Sequence, residues 1–382
     1  MPGLDETIAG LARLGRSLNP AAVGEDDASL LEVRAFGPNP GQLRMLAYVP
    51  QDLARNAALV VVLHGCTQRA GAHARAAGWL TLADRLGFAV LAPEQVSGNN
   101  PNRCFNWFMP EDIARGSGEA ASIHAMVRHM VRVHRLDPAR VFVTGLSAGG
   151  AMTSVLLAAY PETFAAGAVV AGLPFGVASN MQEAFGAMHG GVGLDSRALG
   201  ALVERAAPPA PHRPRLAIWH GQADGVVASR NAVSLARQWA AFQGLAEQPD
   251  EVQDRHGWTR SVWRGADREA LIEMNLLAGL GHGTPLATGG DDPIGVVAPF
   301  MLEAGVSSSL EIARFWGLAP AETAAQAGAR SVAAPTAAAA PEPLQSAARG
   351  LGGRVMASIA PHVSEDVRRV IAKALASAGL KG

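Results

Sequence analysis

The sequence predicts an α/β fold, a mostly parallel central sheet flanked by helices, and three observations carry that prediction. Short, continuous apolar runs rich in β-branched residues recur along the chain, as strands covered on both faces should. Segments of helical periodicity separate them, so strands and helices alternate. At 382 residues, with 49% apolar residues, the chain can build an ample core without disulfides or metals.

In chain order the strand candidates are Leu43 to Val49, Ala58 to His64, Phe88 to Pro93, Arg140 to Thr144, Gly167 to Ala171, Arg215 to His220, Thr259 to Arg264 and Leu271 to Leu277. Glu119 to Arg135 reads as a helix with Ile123, Met126, Val127, Met130 and Val131 on one face, stopped at Asp137-Pro138. Gly172 to Pro214 breaks the alternation with Gly, Pro and Met; it is either a lid over the sheet or an ordinary long connection. Four segments follow: an N-terminal stretch over 1–29, a catalytic domain over 30–318, an Ala/Pro-rich linker over 319–362, and a C-terminal amphipathic helix over 363–382. Val367, Val370, Ile371, Ala374 and Leu375 share one face of that last helix. It either docks on a partner or hydrophobic particle, or folds back on its own domain.

Charge narrows the function classes. Lys and Arg number 32 against 33 Asp and Glu, with no long basic run, which argues against a nucleic-acid partner. No stretch approaches the roughly 20 apolar residues of a membrane span. Met1 to Pro20 lacks a basic start followed by an apolar core, so no secretory signal is visible as written, leaving a cytoplasmic protein or export by another route. Two cysteines, Cys66 and Cys104, exclude a four-cysteine zinc site, and no histidine spacing suggests a metal. No cofactor is expected, and oligomeric state is left open.

The chemistry concentrates in Gly145-Leu146-Ser147-Ala148-Gly149, between a strand-like and a helix-like run. A serine on so sharp a turn needs small residues two before and two after it. Ser147 then needs a base and a group to orient that base. Asp224 follows the strand Leu216 to His220, where a parallel sheet presents its functional loops, and His282 sits in the glycine-flanked turn Gly281-His282-Gly283. The order Ser147, Asp224, His282 is that of α/β-hydrolases. His220 and His256 are competing bases, the former better placed to support the loop; Asp291 and Asp292 are competing acids better read as a turn. For the oxyanion, the amide of Ala148 comes with the elbow, and Gly65 would aim a second from Cys66, with Thr67 as the alternative donor.

These motifs together resemble the polyhydroxybutyrate depolymerase family of esterases. Leu63-His64-Gly65-Cys66-Thr67-Gln68, Cys104-Phe105-Asn106-Trp107-Phe108, the Ser147 elbow, Trp219-His220-Gly221-Gln222-Ala223-Asp224 and Gly281-His282 carry the likeness. Ala171 to Gly176 and Ser307 to Trp316 extend it across roughly 30–318. The resemblance implies an α/β-hydrolase fold, a triad of Ser147, Asp224 and His282, and a polyester oligomer or acylated polysaccharide as substrate. Related members cleave feruloyl or acetyl esters, and a non-catalytic granule-binding protein of the same fold is the alternative from another class. Family members are commonly secreted, which implies an extracellular location. The loop after His282 lacks the tryptophan often found there, and no polymer-binding module is evident. Cys66 and Cys104 fall in loops at the same end of the predicted sheet, where they either bridge or, in a reducing compartment, stay free. Trp107 and Phe108 either line the substrate pocket or serve as core aromatics.

Overall fold

The computed structural model describes residues 29–321 except 211, 256 and 290–292. The N-terminal segment through residue 28, nearly all of the Ala/Pro-rich linker, the C-terminal helix, and the competing residues His256, Asp291 and Asp292 lie outside the described residues.

The eight strand candidates all form strands of one sheet. They are β2 (Arg44–Tyr48), β3 (Leu59–Leu63), β4 (Ala89–Glu94), β5 (Val141–Leu146), β6 (Ala166–Val170), β7 (Arg215–Gly221), β9 (Trp258–Arg264) and β10 (Ala270–Leu277). Two edge strands complete it, β1 (Leu31–Glu32) and β8 (Glu251–Arg255), in the order β1-β2-β4-β3-β5-β6-β7-β10-β9-β8. From β4 to β10 every neighbour is parallel, and the strands outside that block pair antiparallel. A separate parallel pair joins β11 (Thr284–Leu286) to β12 (Met301–Glu303).

The central strands are apolar throughout because both faces are covered. In β3, Leu59, Val61 and Leu63 enter one core cluster while Val60 and Val62 enter another. The first cluster is packed by α4 (Gly118–His134), α5 (Ala148–Ala159) and α8 (Arg230–Gln243). The second takes α1 (Ala70–Ala76), α2 (Trp79–Leu86) and α9 (Ser308–Phe315). Between them in the chain lies α3 (Pro110–Ile113). The motif Ser307-Ser308-Ser309 proves structural: Ser307 accepts from the Leu310 amide at the start of α9, and Ser309 donates to the Ala77 carbonyl. Trp316, just past α9, stacks on Trp79 and Phe142.

The interruption at 172–214 forms two helices, α6 (Met181–Gly190) and α7 (Ser196–Ala206). Leu199 and Val203 are fully buried, and a Cβ on Gly200 would stand 2.7 Å from Ala241, so α7 lies hard against α8. The second of its helices is thus anchored to the domain, while Met181–Gly190 is mostly exposed. Among the described residues no helix is long and apolar enough to cross a membrane.

Candidate active site

The parallel strands point their carboxyl ends the same way, and the chemistry-bearing residues collect there. Ser147 follows β5, Asp224 follows β7, His282 follows β10 and the Gly65-Cys66 turn follows β3. The sheet thus brings together residues spread over more than half of the described chain.

Ser147 is held at φ 58°, ψ −118°, a conformation an L-residue adopts only when its surroundings enforce it. The enforcement is visible at its neighbours. A Cβ on Gly149 would meet the Leu63 carbonyl at 2.4 Å, and one on Gly145 would meet Gly149 at 2.4 Å. Small residues on both sides are therefore what allow strand, turn and helix to close on each other. The Ser147 amide donates to the Val170 carbonyl at 2.9 Å, fastening the turn to β6.

Asp224 and His282 meet directly, His282 Nδ1 lying 2.7 Å from Asp224 Oδ2. Gly221 makes that approach possible, since the Leu280 carbonyl oxygen sits 2.2 Å from where its Cβ would be. The Ala223 amide then donates to the same Leu280 carbonyl at 3.0 Å, tying the acid's loop to the base's loop. The other carboxylate oxygen, Oδ1, accepts the amides of Val226 at 2.8 Å and Val227 at 2.9 Å. Burial alone would raise the Asp224 pKa, but hydrogen bonds from His220 and His282 outweigh it and hold the carboxyl well below the usual range. An ionised acid beside Nδ1 keeps the proton there and leaves Nε2 of His282 able to accept one. Of the competing bases, His220 also contacts Asp224, at 3.3 Å, and it is fully buried.

The two candidate amides in the Gly65-Cys66-Thr67 turn differ in their partners. The Thr67 amide donates to the Asn102 carbonyl at 2.6 Å, whereas the Cys66 amide has no acceptor among the described residues. Ala148 opens α5, where first-turn amides have no partner within the helix. His64 is what shapes this turn. Its Nδ1 donates to the Gly65 carbonyl at 2.8 Å and its Nε2 accepts the Gln95 amide at 3.1 Å. Gly65 C=O and Cys66 N–H belong to one planar peptide, so fixing the carbonyl fixes the direction of the amide. Burial pushes the His64 pKa down to about 4, against the pull of its bond to Gly65, so the ring stays neutral in this role.

Cys66 and Cys104 form a disulfide with a Cα–Cα distance of 4.2 Å. The bridge ties the oxyanion loop to the segment carrying Asn106, whose amide donates to Glu119 at 2.9 Å. Trp107 and Phe108 are 5% and 8% exposed and belong to the main core cluster with Phe105. Both pack with Phe105 beneath the loop. The ring beside His282 is instead Phe300, edge-on with centroids 6.1 Å apart. Its left-handed φ of 65° is unusual for a bulky residue, and Gln68 ties the same turn to the oxyanion loop through the Pro299 carbonyl at 3.3 Å. Among the described residues, no cluster of three His, Cys, Asp or Glu could hold a metal ion.

Comparison with known proteins gives the family. A model described as "Esterase PHB depolymerase" matches residues 43–262. The chain belongs to the PHB depolymerase esterase family. Poly(3-hydroxyalkanoate) depolymerase C of Paucimonas lemoignei is 42% identical, over 76% of this chain and 70% of that protein. Feruloyl esterase B of Talaromyces stipitatus is 31% identical, over 68% of this chain and 73% of its own length. Among solved structures, an acetyl xylan esterase from Aspergillus awamori superposes with a TM-score of 0.65 at 25% identity, covering 76% of this chain and all of that one. As a member of the family the protein is an ester hydrolase with the α/β-hydrolase fold.

Proposed function

We propose that the protein cleaves poly- or oligo(3-hydroxyalkanoate) esters through an acyl-enzyme on Ser147. The observation that carries the reading is the His282–Asp224 hydrogen bond, made between loops at the same sheet end as the strained Ser147. His282 Nε2 takes the Ser147 hydroxyl proton as Oγ attacks the ester carbonyl, and the amides of Cys66 and Ala148 receive the developing oxyanion. The imidazolium then gives that proton to the departing alkoxide. Water repeats the sequence on the acyl-enzyme, yielding the free acid and restoring Ser147.

The 42% identity to a hydroxyalkanoate depolymerase, against 31% to a feruloyl esterase, supports the choice of substrate. The disulfide supports an oxidising, extracellular location, because thiols in the cytosol stay reduced. Residues 30–318 would then be the catalytic unit, with 1–29, 319–362 and 363–382 outside it. One panel tests the reading: 3-hydroxybutyrate oligomers, a feruloylated oligosaccharide and acetylated xylan, each with wild type and Ser147→Ala. The proposal expects the hydroxybutyrate oligomers to be turned over with the highest kcat/KM, and Ser147→Ala to be inactive on all three. Preference for either polysaccharide ester would overturn the substrate assignment, and an active Ser147→Ala would overturn the mechanism.

A further inference from the structure

Asp224 carries two histidines. His282 occupies Oδ2 through Nδ1, and on the same oxygen lies Nε2 of His220, at 3.3 Å. His220 is the penultimate residue of β7, fully buried, with its backbone opposite Leu276 of β10. Its Nε2 also lies 2.9 Å from the Val227 carbonyl oxygen. Two oxygens around one ring nitrogen require that nitrogen to carry a proton. The other nitrogen, Nδ1, is buried with no hydrogen-bond partner among the described residues, so a proton there would be a desolvated donor without an acceptor. Nε2 of His220 therefore carries the ring proton, donating it to the Val227 carbonyl with Asp224 Oδ2 close beside it.

We propose that His220 is a positioning residue for the catalytic acid, completing a cradle of three hydrogen bonds and one close ring contact that fixes the Asp224 carboxylate plane. Oδ1 takes the amides of Val226 and Val227, Oδ2 takes His282, and Nε2 of His220 stands 3.3 Å from Oδ2 on its remaining side. A carboxylate has about four lone-pair sites, so three bonds and this contact leave the group little room to turn. The Val227 contact closes the cradle on itself, since the residue whose amide binds Oδ1 also presents its carbonyl to His220. With the carboxylate plane fixed, the imidazole of His282 is held in one orientation, and no group of His220 touches substrate.

The inference rests on the Ser147–Asp224–His282 reading, and the experiment separates the two. His220→Gln keeps an amide donor where Nε2 lay; His220→Met keeps the length and loses the donor. Both are compared with wild type on a short-chain p-nitrophenyl ester, beside Ser147→Ala and His282→Ala, with thermal melts confirming folding. His220→Met should lose about tenfold or more in kcat with KM within about twofold, and His220→Gln should stay within about threefold of wild type. Wild-type turnover in His220→Met, or an equal loss in folded His220→Gln, overturns the proposal. Wild-type turnover in Ser147→Ala or His282→Ala means that the triad reading itself has failed. Should His220→Met not fold, nitrogen NMR of the wild-type imidazole decides. The Nε2–H tautomer at neutral pH supports the proposal, and an Nδ1–H or doubly protonated ring overturns it.

Discussion

Replacing both Cys66 and Cys104 by alanine should weaken the fold and slow catalysis together. The two cysteines are 38 residues apart in sequence, and closing a loop of that size removes unfolded-chain entropy of about 13 cal/mol/K, or about 4 kcal/mol at 25 °C. That is a large share of the roughly 5–15 kcal/mol by which domains are stable. The bridge also anchors the residue whose amide faces the oxyanion. Outright loss of such a donor costs about 10²–10³ in kcat. Here the His64 bond to Gly65 and the bond from Gly65 N–H to Gln68 at 2.8 Å remain to hold the turn, so a loss nearer tenfold is expected. Equilibrium unfolding in guanidinium gives the first quantity, and kcat on a soluble ester gives the second. A variant within about 1 kcal/mol of the wild type and with unchanged kcat would refute the reasoning.

Further expectations follow from the same contacts. Gly149→Ala forces its Cβ to within 2.4 Å of the Leu63 carbonyl, so it should lower the melting temperature and abolish measurable turnover; a folded, active variant would show that the elbow relaxes freely. His64→Leu removes the bond that orients the Gly65–Cys66 peptide. It should cut kcat by about tenfold or more while KM changes little, read by steady-state kinetics. Stability should peak near pH 6.5. Burial holds His64 to about 4 and His73 to about 3, below the unfolded value of 6.5, so as pH falls the unfolded chain takes protons that the native state refuses, and stability is lost from pH 6.5 downward. Glu119 has the opposite sign. Burial, reinforced by the Asp112 carboxyl, raises it from 4.5 to about 8, so its contribution is lost as pH rises through that window. Each group contributes a slope of about 1.4 kcal/mol per pH unit within its window. Denaturation at pH 5, 6.5 and 9 checks both arms, and Glu119→Gln should flatten the alkaline one.

What the sequence made legible, and what it hid, follows from where each signal resides. Strands buried on both faces announce themselves by unbroken β-branched runs, which is why Leu59–Leu63 and Val141–Leu146 stand out. The edge strand Glu251–Arg255 alternates charge with a single valine and is short, so its sequence resembles a loop. Thr284–Leu286 contains a proline and pairs with a segment beyond a long turn, and nothing local marks it. The site divides in the same way. Ser147, Asp224 and His282 are readable because each sits in a turn whose glycines are required by close approach, at Gly145, Gly149, Gly221 and Gly283. His64 is hidden because its partners are the carbonyl next to it and an amide 31 residues away, contacts that only the folded sheet creates. Composition alone left Gly172–Pro214 open between lid and connection, because the anchoring of its second helix through Leu199 and Val203 arises only in the fold.

With Ser147 as the nucleophile of an ester-cleaving triad, an acyl-enzyme should be trapped on it. The enzyme is mixed with an ester whose deacylation is slow, quenched in acid, digested and examined by mass spectrometry. One acyl group per chain is expected, on the peptide containing Gly145 to Gly149 and localised to Ser147, with none in Ser147→Ala. Stoichiometric acylation at any other residue, or an unchanged adduct in Ser147→Ala, would contradict it.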